Sequence, residues 1–104
     1  MSGEVIYNIK SVIHSFFPDA RVLLFGSRAR GDESRDSDYD LLIITKSTIA
    51  AGEKISWRSK INKALVKSIH APVDVILNSE EEVASKRTFP GHVIQWALKE
   101  GVWL

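Results

Sequence analysis

A chain of 104 residues with 44% hydrophobic and 26% charged residues has the balance of one folded domain, spanning 1–104, with room for a core but none for a second substrate-binding lobe. Its formal charge of +1 gives no broad basic field, so there is no strong nucleic-acid signature of the kind that many phosphate contacts require. The absence of cysteine excludes disulfides and thiolate metal sites; with no signal-like N-terminus and no apolar run of membrane-spanning length, the sequence predicts a soluble, cytoplasmic protein with no membrane partner.

Val5, Ile9, Val12, Ile13 and Phe16 recur at helical spacing between a capping Ser2 and the breaker Pro18, which predicts an amphipathic helix over 3–17. The apolar run Val22-Leu23-Leu24-Phe25 predicts a strand over 21–26. A short helical turn over 27–31 follows, with Ser27 as its cap, and then a charged loop from Asp32 to Ser37. A second strand is expected over 38–45. Ile55, Ile61, Leu65 and Ile69 place one face of a long helix over 51–69, with Lys54, Arg58, Lys63 and Lys67 mostly on the other side. Pro72 and Asn78-Ser79 bound a third strand, Glu80 to Lys86 reads as a short acidic helix, and Pro90 to Glu100 as a helix closed by Gly101. Val102-Trp103-Leu104 is a candidate edge strand.

If the polar groups at the strand ends converge, Gly26-Ser27 at the end of the first strand and Asp38 and Asp40 at the start of the second make those two strands antiparallel. The long helix before the third strand favours a parallel neighbour, which brings Asp74 to the same edge as Asp38. The expected fold is α+β: a two-layer mixed sheet of three core strands plus the edge strand, with helices packed on one face.

Asp38 and Asp40 alternate on a strand and share one face, where two carboxylates repel unless a cation lies between them. Hard oxygen ligands of this kind suit magnesium or manganese. Asp74 interrupts the apolar run from Val73 to Leu77, a costly place for an unpaired carboxylate, and a third metal contact would explain it. Gly26 allows close backbone approach, and the free N–H groups of a turn beginning at Ser27 can hold a phosphate. Arg28 and Arg30 can reach phosphate oxygens. Taken singly, each feature has a plainer reading: a solvated turn edge for Asp38 and Asp40, an ion pair for Asp74, a serine cap for Ser27, a solvated basic pair for the arginines. Together they point to metal-assisted phosphoryl chemistry.

Gly26-Ser27, ten intervening residues, Asp38-Tyr39-Asp40 and then Asp74 on a later strand resemble the minimal nucleotidyltransferase family of the DNA polymerase beta-like superfamily. The stretch Phe25-Gly26-Ser27-Arg28-Ala29-Arg30-Gly31 and the helical ending before Gly101-Val102-Trp103-Leu104 strengthen the likeness, which covers the chain in outline. The resemblance implies the nucleotidyltransferase fold and transfer of a nucleoside monophosphate, AMP from ATP, to a hydroxyl. In it Asp38 and Asp40 hold two magnesium ions, with manganese as an alternative. Asp74 completes the site and takes the acceptor's proton, and Gly26 and Ser27 hold the triphosphate. Larger relatives add a helical domain, so a chain of this size implies a separate helical partner of the HEPN type, a toxin for which this chain would be the antitoxin. A non-catalytic binding module that neutralises its partner by contact, and transfer to a small molecule such as an aminoglycoside, are the competing readings. Three aligned carboxylates argue against the first, and nothing in the sequence names the acceptor.

Other signals carry less. Asp36, Asp38 and Asp40 imitate a calcium loop, but Leu41 stands where the loop needs glycine and Ser47 where it needs glutamate. Arg87 and His92 match an Arg-x4-His spacing of helical ribonucleases, interrupted by Pro90-Gly91. His14, His70 and His92 lack metal-ligand spacing, and Trp57, Trp96 and Trp103 read as core or partner-interface residues.

Overall fold

Ser2 accepts the Val5 N–H and opens α1 (Gly3–Phe16), whose Ile9 and Ile13 are fully buried. In the computed structural model, which describes residues 2–31 and 37–104, the chain continues through β1 (Arg21–Phe25), α2 (Ser27–Arg30), β2 (Tyr39–Thr45), α3 (Ala51–Ile69), β3 (Val73–Ser79), α4 (Glu80–Lys86), α5 (Val93–Glu100) and β4 (Val102–Trp103). Of the expected charged loop, 32–36 lie outside the described residues, as does Asp36 of the rejected calcium pattern.

The strand order is β3-β2-β1-β4. β1 runs antiparallel to β2 and to β4, and β2 parallel to β3, as the convergence of the polar ends requires. The sheet is therefore mixed, in an α+β fold. The expectation that helices cover one face is corrected: α1 and α3 pack on the face carrying Val22, Leu24, Leu41 and Ile43, while α4 and α5 bring Val83, Ile94 and Ala97 onto the face carrying Leu23, Phe25, Leu42 and Ile44. The reason is in the strands. Leu41 to Ile44 are apolar without alternation, so both faces of β2 need cover. Each such side chain stabilises the fold by roughly 1.5–3 kcal/mol when removed from water.

Several boundaries move. β2 begins at Tyr39, leaving Asp38 just before it, and β3 extends through Asn78 and Ser79, which pair with Ile44 and Thr45. Buried Asn78 is satisfied by Lys86 Nζ at 2.7 Å. Ser79 then caps α4 with a full capping box, accepting the Glu82 N–H while Glu82 Oε1 accepts its own. Burial pulls the Glu82 carboxyl up, but the bond from Lys54, the Ser79 N–H and the charges of Lys54 and Lys86 outweigh it and hold the group below its usual value. Ser79→Ala should lower stability by about 1 kcal/mol, read from the midpoint of urea unfolding. α5 starts at Val93, not Pro90, because His92 Nδ1 accepts the Ile94 N–H and caps it there.

Gly101 ends α5 in extended conformation rather than left-handed; it is glycine because a Cβ would overlap Ala97 O and the Leu23 side chain. Ile55, assigned to the buried face of α3, is 74% exposed. It lies six positions before Ile61, an offset that turns it well off that face. Trp57 packs on Phe16 and Phe17 as expected of a core residue, whereas Trp96 and Trp103 are about half exposed.

Candidate active site

β1 ends at Gly26, whose φ of 76° and ψ of −159° turn the chain sharply into α2. Gly26 itself is the N-cap, correcting the assignment of that role to Ser27, which is the first helical residue and makes no side-chain cap bond. Ala29 and Arg30 donate to Gly26 O, and Gly31, left-handed at φ 79°, closes the turn onto Ser27 O. The Ser27 and Arg28 N–H groups precede the first bonds of the turn and have no backbone partner among the described residues.

The register fixes the carboxylates. Asp40 pairs with Phe25 on one side and with Asp74 on the other, so the second and third predicted acids stand at one level of adjacent strands, on the α4/α5 face, with Gly26 beside them. A Cβ on Gly26 would overlap the Asp40 carboxylate. Asp38 and Asp74 are exposed and Asp40 half-buried. Burial, then the charges of Asp74 and Asp38, push the Asp40 carboxyl above its ordinary value of 3.8; Arg30 partly offsets this and Glu100 adds to it.

The donor set fits a hard divalent cation: oxygen ligands only, concentrated until one of them resists ionisation. Among the described residues no group of three acidic or histidine side chains is already drawn close enough to hold a metal ion.

The two arginines part company. Arg28 donates through Nε and Nη2 to Ser37 O at 3.2 and 3.0 Å and lies over the Tyr39 ring, which faces the α1/α3 core rather than Asp40. It therefore pins the chain entering β2, and among the described residues it makes no ion pair with the three carboxylates. Arg30 does lie near Asp40, and its Nη1 donates to both Glu100 oxygens at 3.2 Å.

Glu100 escapes a reading of the sequence. From the end of α5 its Oε1 accepts the Gly26 N–H at 3.2 Å, joining the last helix to the glycine turn. An acid in the last turn of a helix, where the dipole favours cations, was the signal available. Glu100→Ala removes that acceptor and should lower stability by about 1–2 kcal/mol and weaken nucleotide binding. Glu100→Gln keeps an acceptor and should preserve most of both, measured by urea unfolding and nucleotide titration.

A glycine turn at the end of one strand, with carboxylates on the next two, is the arrangement expected of a nucleotidyltransferase fold. The family model described as the nucleotidyltransferase domain matches residues 6–103, and the chain belongs to that family. A Methanocaldococcus jannaschii protein described as a candidate protein adenylyltransferase is 43% identical over 53 residues, covering 49% of this chain and 54% of that protein, so the match spans about half the length of the relative. Among solved structures, a toxin–antitoxin crystallised with AMP-PNP superposes with a TM-score of 0.71 at 20% identity, covering 93% of this chain and 69% of the other. A complex of a tri-AMPylated Shewanella oneidensis HEPN toxin with its MNT antitoxin gives 0.59 at 17% identity, covering 95% and 70%. At these identities the structural likeness shows the fold.

Proposed function

We propose that this nucleotidyltransferase transfers AMP from ATP to a hydroxyl of a protein, a helical HEPN-type toxin, and acts as its antitoxin. The observation that carries the chemistry is the placement of Asp40 between Asp74 and the Gly26 turn, with Asp38 just ahead of β2. The protein acceptor is supported by the name of the Methanocaldococcus relative and by the AMPylated toxin bound to a chain of the same fold.

In this reading Asp38, Asp40 and Asp74 hold magnesium, with manganese as a substitute. The bound metal supplies positive charge to the triphosphate and to the oxygens that gain charge as the bond breaks. The Ser27 hydroxyl and the N–H groups of Ser27 and Arg28 hold phosphate oxygens at the turn that Gly26 allows. Arg30, close to Asp40, adds charge there, and Arg28 serves by fixing the backbone. Asp74, exposed at the sheet edge, takes the proton from the acceptor hydroxyl. The acceptor oxygen bonds to the α-phosphorus, the bond from that phosphorus to the bridging oxygen breaks, and pyrophosphate leaves. Dependence on ATP supports a cytoplasmic location; no described helix is long and apolar enough to cross a membrane.

Incubation with α-labelled ATP, magnesium and the product of the neighbouring gene, followed by intact-mass analysis of both proteins, tests this. A gain of one or more AMP on the partner is expected. An unmodified partner that is nonetheless bound and neutralised would establish inhibition by contact instead.

A further inference from the structure

The sheet order places the groups of the site in a line: the Gly26-Ser27 turn on β1, Asp40 on β2 and Asp74 on β3. Strands lie about 4.8 Å apart, so the turn and Asp74 flank Asp40 from opposite sides, roughly 10 Å from one another. Displacement at phosphorus needs attacking and leaving oxygens on opposite sides. With the triphosphate at the turn, the acceptor must arrive from beyond β3.

A groove is built there. It measures about 380 Å³, lies between α3 and the outer edge of β3, and is lined by Asp74, Val75, Ile55, Arg58, Ser59 and Asn62, with Lys63 at its side. Its polar groups are held in place by the strand. Asn62 Nδ2 donates to Val73 O at 2.7 Å, and Arg58 Nε donates to Val75 O at 3.1 Å, so these two side chains cover the carbonyls on either side of Asp74. Anchored through Nε, the Arg58 guanidinium keeps its Nη1 and Nη2 fork without a partner among the described residues, the geometry that takes a carboxylate through two parallel bonds. Lys63 is exposed and has no ion pair among the described residues. The overall charge of +1 and the small extent of the groove suit a peptide segment better than a nucleic-acid strand.

We propose that this groove is the acceptor site, and that it selects a polypeptide segment in which an acidic residue stands beside the reacting hydroxyl. The acid engages Arg58 and Lys63, and the hydroxyl is thereby presented to Asp74. The inference rests on the AMP-transfer reading above, and the test separates the two.

Amide spectra of the isotope-labelled protein are recorded during titration with a capped Glu-Tyr-Glu peptide, with its Gln-Tyr-Gln counterpart, with an RNA oligonucleotide, and separately with magnesium and ATP. The acidic peptide should shift amides over 55–63 and at Asp74 and Val75, and should bind at least about tenfold more tightly than the neutral one. Arg58→Ala and Lys63→Glu should each remove that preference while magnesium-ATP still shifts Gly26 and Ser27; Lys63, being exposed, guards against a folding artefact. With α-labelled ATP, Lys63→Glu should raise the KM for the acidic peptide with little change in kcat. Equal binding of the two peptides, shifts on another surface, preference unchanged in both variants, or RNA taking the groove in place of peptide would each overturn the proposal and leave the AMP-transfer reading standing. Failure of magnesium-ATP to shift Gly26 and Ser27 would overturn that reading, whatever the peptides do.

Discussion

Asp40→Asn should abolish nucleotidyl transfer and at the same time raise the melting temperature near neutral pH. The first effect follows from the position of Asp40 between Asp74 and the glycine turn; losing the central carboxylate should lower the rate by at least about a thousandfold. The second follows from the charge. Burial and the neighbouring carboxylates raise the Asp40 pKa above 3.8, so the folded state holds this proton more tightly than the unfolded state does. A raised carboxyl favours the fold at low pH, and that contribution is lost as pH climbs through the folded value. Wild type therefore carries net repulsion around Asp40 at neutral pH, only partly offset by Arg30, and the asparagine variant relieves it. Thermal melts across pH should show the two proteins converging as pH falls towards the ordinary carboxylate range and separating, with the variant higher, above it. Magnesium should raise the wild-type melting temperature and narrow the gap, because a cation binding the folded state alone stabilises it. A variant that melts lower than wild type at neutral pH, or one that retains turnover, would contradict the role given to Asp40.

The residues behind that prediction are legible in the sequence. The Gly26-Ser27 turn, the two aspartates and Asp74 stand out because each breaks a local rule: glycine at the end of an apolar strand, and carboxylates inside or beside apolar runs. The antiparallel and parallel pairings follow from requiring those groups to meet, and the register of Asp40 with Asp74 agrees. Cover on the second face of the sheet is less visible, because α4 and α5 are short and each buries only one or two apolar residues, too few to set a period. What Glu100 and the anchored Arg58 bind is out of reach for a different reason. Their partners, Gly26 N–H and Val75 O, are backbone groups that leave no trace in residue identity, and Glu100 lies 74 positions from Gly26. Arg28 and Arg30 look equivalent as a pair, yet a four-residue helix turns one guanidinium to Tyr39 and the other to Glu100.

Gly26→Ala tests the one position where backbone and side chains constrain the site together. At φ 76° and ψ −159° the residue occupies a region essentially reserved for glycine, so alanine should destabilise the fold by about 1–3 kcal/mol from backbone strain alone. In a domain of this size each kcal/mol lowers the melting temperature by roughly 4–8 °C. The added methyl would also overlap the Asp40 carboxylate, forcing either that side chain away from Asp74 or the turn away from the sheet. Either movement separates the N–H groups proposed to hold phosphate from the acids, and transfer should fall with stability. Gly31→Ala is the control. It too has positive φ, 79°, but in the left-handed helical region and with nothing within 4 Å of an added methyl among the described residues, so it should cost about 1 kcal/mol and keep transfer. The two contributions at Gly26 can be separated by repeating the substitution in an Asp40→Ala background, where no carboxylate meets the methyl. There the loss of stability from Gly26→Ala should shrink to its backbone part, giving a measurable coupling between the two positions. Additivity of the two substitutions would mean that Asp40 does not lie against Gly26, and transfer at the wild-type rate in Gly26→Ala would remove the glycine turn from the nucleotide site.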